Sequence, residues 1–159
     1  MELRKLSGSF YADNEKVLQA LDFDMQLNAW RDVKVRGHGI VEISINKLTF
    51  AIPARSFIKH NASLILEVDR QRKNVKGMGL DYSKALLIKD RKYISGEVFL
   101  LKSKAAGKKL VGLEEHITKQ FSKYVERYIS AVKARDVNIL KSFEYKYTTL
   151  VNYHVELGL

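Results

Sequence analysis

Between Phe50 and Asn61 the chain reads FAIPARSFIKHN, and four of its side chains carry groups that can act together: Arg55, Ser56, Lys59 and His60. Cleaving RNA without a metal requires that a 2′-hydroxyl lose its proton, that charge building on the phosphate be balanced, and that the leaving oxygen gain a proton. Arg55 and Lys59 can balance the charge, Ser56 can donate a hydrogen bond and His60 can move a proton. The same residue types also suit a solvated loop, since loops gather polar side chains. In that alternative Arg55 and Lys59 are surface charges, Ser56 satisfies a turn and His60 caps the next element.

Other candidate motifs are weaker. Gly37-His38-Gly39 lacks the third glycine and the following helix of a dinucleotide fingerprint. Glycines flanking a histidine allow close backbone approach to a ligand or simply make a turn. The four histidines, at 38, 60, 116 and 154, do not have zinc-site spacing. No paired-carboxylate signature is present, so neither a metal nor a cofactor is expected. Lys119, Lys123 and Arg127 follow at four-residue steps and form a row on one helix face, either solvated or a phosphate track.

These residues need a scaffold. From Ile40 the apolar residues alternate, Val41, Ile43 and Ile45 and then Leu48, Phe50 and Ile52, which predicts a hairpin turning at Asn46 and Lys47. Pro53 lacks a backbone donor, so the second strand is expected to stop there, with the polar cluster beginning at a strand end. Leu64 to Val68 and Ala85 to Ile88 read as further strands, EVFLL from Glu97 as a fourth candidate, and the charged stretch between the first two as a loop with a brief strand at Met78 to Leu80. Ile117, Phe121, Tyr124, Val125, Tyr128, Ile129 and Val132 recur at helical steps and predict a helix from Glu114 to Lys133. A short helix over residues 13–22 and a last one from Thr148 complete the expectation. The order points to one α+β domain over residues 1–159 with a small, twisted, mainly antiparallel sheet.

Composition bounds the partners. The 159 residues carry 28 Lys and Arg against 18 Asp and Glu, a net +10, which draws a protein to polyanions, nucleic acid first. With no cysteine, thiolate catalysis and disulfide staples are excluded and a reducing cytoplasm fits best. No apolar run approaches the ~20 residues that cross a bilayer, and MELRKLSGSFYADNEK lacks the apolar core of a signal peptide.

GIVEISINKLTFAIPARSFIKHN resembles the hairpin and following loop of type III toxin–antitoxin toxins, the ToxN/AbiQ group: a glycine-led strand, a turn, a strand ending in proline, then a serine and lysine-rich loop with a nearby histidine. GMGLDYSKALLI is similar to that family's next block, HITKQFSKYVERYI to its long C-terminal helix and YTTLVNYHVELG to its ending, with the TenpIN branch nearest in length and charge. The resemblance implies a barrel-like sheet of the MazF type with surrounding helices, and a metal-independent endoribonuclease acting in phage defence. It further implies inhibition by a small repeated RNA antitoxin, bound where cellular RNA substrates bind and closing protein and RNA into a ring. By position Ser56 matches the family's active-site serine and Lys59 its neighbouring lysine; Lys34 or Arg36 falls near the basic residue before the first strand. Arg55 stands in place of threonine, Phe57 and Ile58 replace a Pro-Lys pair, and Trp30 is nearest to an expected tyrosine. Together these readings make Arg55, Ser56, Lys59 and His60 the candidate catalytic residues. Lys34, Arg36, His38, Lys119, Lys123 and Arg127 are the candidate RNA contacts, with His38 a second choice for proton transfer. A non-catalytic RNA-binding module is the alternative. A DNA regulator is disfavoured because the long helix opens with Glu114 and Glu115 instead of base-reading residues.

Overall fold

Branched and aromatic residues in alternation, with one long amphipathic helix to cover them, fold as a sheet under a helix. The computed structural model describes residues 1–31 and 38–159. Its strands are Arg4–Leu6 (β1), Phe23–Asp24 (β2), Ala29–Trp30 (β3), Ile40–Ile45 (β4), Leu48–Ile58 (β5), Ser63–Val68 (β6), Gly77–Asp81 (β7), Leu86–Leu87 (β8) and Ile94–Val98 (β9). The helices are Gly8–Asp13 (α1), Lys104–Lys109 (α2), Glu114–Ala134 (α3) and Val137–Leu140 (α4). Seven strands form one sheet in the order β6-β7-β5-β4-β1-β9, with β8 pairing β5, and β2 and β3 make a separate ribbon. Every pairing is antiparallel. The sheet is open: it is not closed into the barrel that the sequence left as an option, and β6 and β9 are its two ends.

The hairpin forms where expected. Asn46 and Lys47 both take positive φ, 48° and 65°, the turn geometry whose twist matches that of paired strands. Pro53 does not end the second strand. Its missing N–H falls at the last pair with β4, Ile40↔Pro53, after which Ala54 N donates to Gly39 O at 2.8 Å and β5 runs on against β7 through Ala54↔Leu80 and Arg55↔Gly79. The proline therefore marks a change of partner, and the polar cluster starts within a strand. On β5, Ser56 and Phe57 lie between the pairs Arg55↔Gly79 and Ile58↔Gly77 and share the single opposing residue Met78, which makes a bulge.

The glycine-punctuated stretch holds the brief strand expected at Met78 to Leu80, as β7, paired with β6 on one side and β5 on the other. A Cβ at Gly79 would sit 1.9 Å from Leu64 O, so β6 approaches β7 as closely as it does only because glycine stands there. The sheet's cover is α3: Ile117, Phe121, Tyr124, Val125 and Tyr128 are buried along it, and Phe121 meets Phe50 edge-on at 5.2 Å.

Three expected elements differ. Residues 14–22 are not helical; the helix lies earlier, as α1, and Leu18 exchanges both backbone bonds with the Asn152 side chain at 2.9 and 2.8 Å while Gln19 and Asp22 take positive φ. Val17 and Ala20 are buried nonetheless. The tail from Thr148 is not one helix: a 3-10 turn, Thr149–Asn152, in which Thr149 Oγ1 donates to Ser83 O and Ala85 O, is followed by further hydrogen-bonded turns. The strand sought from Glu97 begins at Ile94, and Phe99 N returns to Leu3 O at 2.9 Å as the chain leaves the sheet. Among the described residues no helix is long and apolar enough to cross a membrane.

Candidate active site

Two of the four candidate residues on the quoted stretch point inward. The β5–β7 register sets Arg55 near Asp81, and Arg55 Nη1 lies 3.1 Å from Asp81 Oδ2. His60 Nε2 lies 3.3 Å from the other oxygen, Oδ1, to which Ser83 donates from its hydroxyl at 2.6 Å and from its backbone N–H at 3.0 Å. Asp81 is fully buried. Burial works to raise its pKa, but the hydrogen bond and charge of His60, the Ser83 hydroxyl and the Arg55 charge outweigh it and hold the carboxyl below its ordinary range. His60 is thus fixed as a structural partner of a buried carboxylate, with its Nδ1 buried and unpaired among the described residues.

Arg55 and Ser56 also line a cavity of about 750 Å³ with His38, Asp22, Glu67 and Lys102. The walls come from distant segments: the turn after α1, the entry to β4, the bulged half of β5, β6, and the connection from β9 to α2. Here His38 Nδ1 lies 3.5 Å from Asp22 Oδ2. That carboxylate orients the ring so that a neutral imidazole presents Nε2 as its acceptor. Nε2 is buried and unpaired among the described residues, a state that a protein keeps at a cost and often for use.

The remaining candidates scatter. Lys59 is exposed beyond the bulge and lines none of the cavities around Ser56. Lys123 and Arg127 border a different cavity of about 410 Å³ with Tyr82 and Gln120, Arg127 lying over the Tyr145 ring at 5.9 Å. Lys119 sits with Glu114 and Glu115 at the start of α3. Lys34 and Arg36 lie outside the described residues. The site residues that sequence reasoning missed are Asp22, Asp81 and Lys102. Asp81 alone left a local signal, an Asp two residues before Ser83 that caps the 3-10 turn Tyr82–Lys84.

Among the described residues no group of three or more His, Cys, Asp or Glu side chains is arranged to hold a metal. Comparison with protein-family models, curated proteins and solved structures returns no match for this chain.

Proposed function

We propose that the chain is an endoribonuclease, a toxin of the type III toxin–antitoxin kind, that cuts RNA through the substrate's own 2′-hydroxyl. The observation that carries the reading is the meeting of His38, Arg55 and Ser56 on one cavity, with Asp22 behind the histidine. His38, its Nε2 uncovered as RNA seats in the cavity, takes the 2′-hydroxyl proton, the 2′-oxygen bonds to phosphorus, and the bond from phosphorus to the 5′-oxygen breaks as that oxygen takes a proton from water. The products are a 2′,3′-cyclic phosphate and a 5′-hydroxyl. Arg55 has one guanidinium edge on Asp81 and a side chain 32% exposed, which leaves donors for a phosphate oxygen. Ser56, exposed on the bulge, donates to the same phosphate, and Lys102 and Lys59 draw in flanking strand.

The resemblance of the hairpin and serine-lysine stretch to those toxins supports the same class and adds a repeated RNA antitoxin as the inhibitor, occupying this cavity as a bound product in a ring-like assembly. In this reading His38 replaces His60 as the proton-transfer group, because His38 lines the cavity with Arg55 and Ser56 and His60 does not.

The test is incubation of the purified protein with a long RNA in EDTA. His38→Ala should slow cleavage by about 10²- to 10⁴-fold and Ser56→Ala should slow it too, whereas Lys59→Ala should weaken RNA binding more than it slows the cut. Fragments ending in cyclic phosphate, lost in the first two variants with melting unchanged, are the expected result. Tight binding of RNA that stays intact would make the protein a binding module.

A further inference from the structure

Ser56 has a second face. Across the bulge from the cavity just described lies a groove of about 450 Å³ that it shares with Phe57, Arg70, Arg72 and Met78. Phe57 is 51% exposed and takes a φ of 59°, a left-handed backbone that a bulky side chain adopts only at a cost. Nothing in the core gains from the strain. It aims a large apolar ring at solvent, one residue from the serine at the proposed scissile phosphate. Arg72 lies over that ring, its Cζ 4.6 Å from the centroid, and is steadied by Asp69, which accepts from its Nη1 at 2.8 Å and from its backbone N–H at 3.0 Å. Even with a guanidinium over it the ring remains half exposed.

We infer that Phe57, backed by Arg72, is a stacking platform for a nucleobase that flanks the phosphate held at Ser56. The inference rests on the reading of the chain as an RNA enzyme and adds to it a subsite. An aromatic ring next to a guanidinium plane is what an unpaired base stacks on, because each offers a flat polarisable surface and every base has a π-face. Charge favours nucleic acid over a protein partner: residues 69–76, DRQRKNVK, hold four Lys and Arg against one Asp. The strand's backbone would run along Arg70 and Lys73 while the base turns in to Phe57. Stacking tolerates any base, so the subsite selects single-stranded over duplex RNA and imposes little sequence preference.

The experiment uses full-length protein and an uncleavable single-stranded 2′-O-methyl oligonucleotide, beside an abasic strand of equal length, with affinities read by fluorescence anisotropy. Phe57→Ala should weaken the base-bearing strand by about 10- to 100-fold and leave the abasic strand almost unchanged, and Phe57→Trp should restore binding. The salt dependence should stay that of the wild type, because no phosphate contact is lost. Equal loss on both strands, or no loss on either, overturns the inference; the second outcome would leave the ring facing a protein partner or solvent. Base-dependent loss in a protein that never cuts RNA keeps the platform and removes the nuclease. Cleavage with unaltered affinity in Phe57→Ala does the reverse, and wild-type protein that binds neither strand removes both.

Discussion

Arg55 and His60 both reach one buried carboxylate, Arg55 with a single edge of its guanidinium, whereas Ser56, Phe57 and Lys59 in the same stretch do not. The inner pair meets one buried carboxylate; the outer three face solvent around a bulge. These five side chains are therefore two populations, sorted along β5 by its pleat and the extra residue in it, and past its end by the chain that follows. The inner set fixes the shape of the strand, with Arg55 keeping one edge for the cavity, and the outer set is left to act on something else. Chemical type alone does not separate them, since a cation and a titratable ring stand on the inner side and a cation and a hydroxyl on the outer.

Removing the inner anchor is the harshest way to break this contrast. Asp81→Asn leaves Arg55 and His60 facing each other without the carboxylate and should cost about 3 kcal/mol, measured by urea unfolding. The sign follows from the lowered folded pKa of Asp81. Its contribution is present above the ordinary carboxylate pKa and fades as pH falls through the folded value, so wild type and variant should converge in acid. A cost below about 1 kcal/mol would mean that Arg55 is held loosely and belongs with the outer set.

Lys84 extends the comparison to a cation drawn in from another element. Its Nζ donates to Gln19 O and to Tyr147 O, both at 2.8 Å, and so ties the segment after α1 to the C-terminal region. Burial pulls its pKa down to about 8, against the nearby Asp81 charge and with the Arg55 charge. Between that value and the unfolded pKa near 10.4 the unfolded chain binds the proton that the folded chain has released, so stability gains with rising pH. Relative to Lys84→Met, the wild type should gain about 2 kcal/mol between pH 8 and pH 10, read from denaturant midpoints. A constant difference across that window would place the ammonium among the solvated cations such as Lys59.

What the sequence reveals is what lies close along it. The α3 stripe from Ile117 to Tyr128 and the Asn46-Lys47 turn need only periodicity and local backbone preference, and both are found at their expected positions. Pro53 misleads because its effect depends on which neighbour lies on each edge: β4 ends there while β7 takes up the strand. The segment 14–22 misleads because the amide of Asn152, more than 130 positions away, replaces helical bonds with its own. At the site, Arg55 and Ser56 are legible as polar residues next to a strand, but the pairing of His38 with Asp22 and of His60 with Asp81 arises from tertiary register. No spacing rule places one histidine on the cavity with Arg55 and Ser56 and the other away from it.

The gentlest test exchanges Phe57 for glycine. The ring makes no core contact to lose, the left-handed φ of 59° suits glycine, and Arg72 retains Asp69 when the ring is gone. Relief of backbone strain, about 1 kcal/mol, is offset by the extra entropy of an unfolded glycine and by loss of the cation–π contact, so Phe57→Gly should be neutral or more stable by up to about 1 kcal/mol. The same change should impair binding of single-stranded RNA. Stability and binding moving apart at one residue would separate a side chain kept for a ligand from one kept for the fold, as Asp81 is. If Phe57→Gly instead lowers the melting temperature by several degrees, the ring supports the β5 bulge, and the outer population shrinks to Ser56 and Lys59.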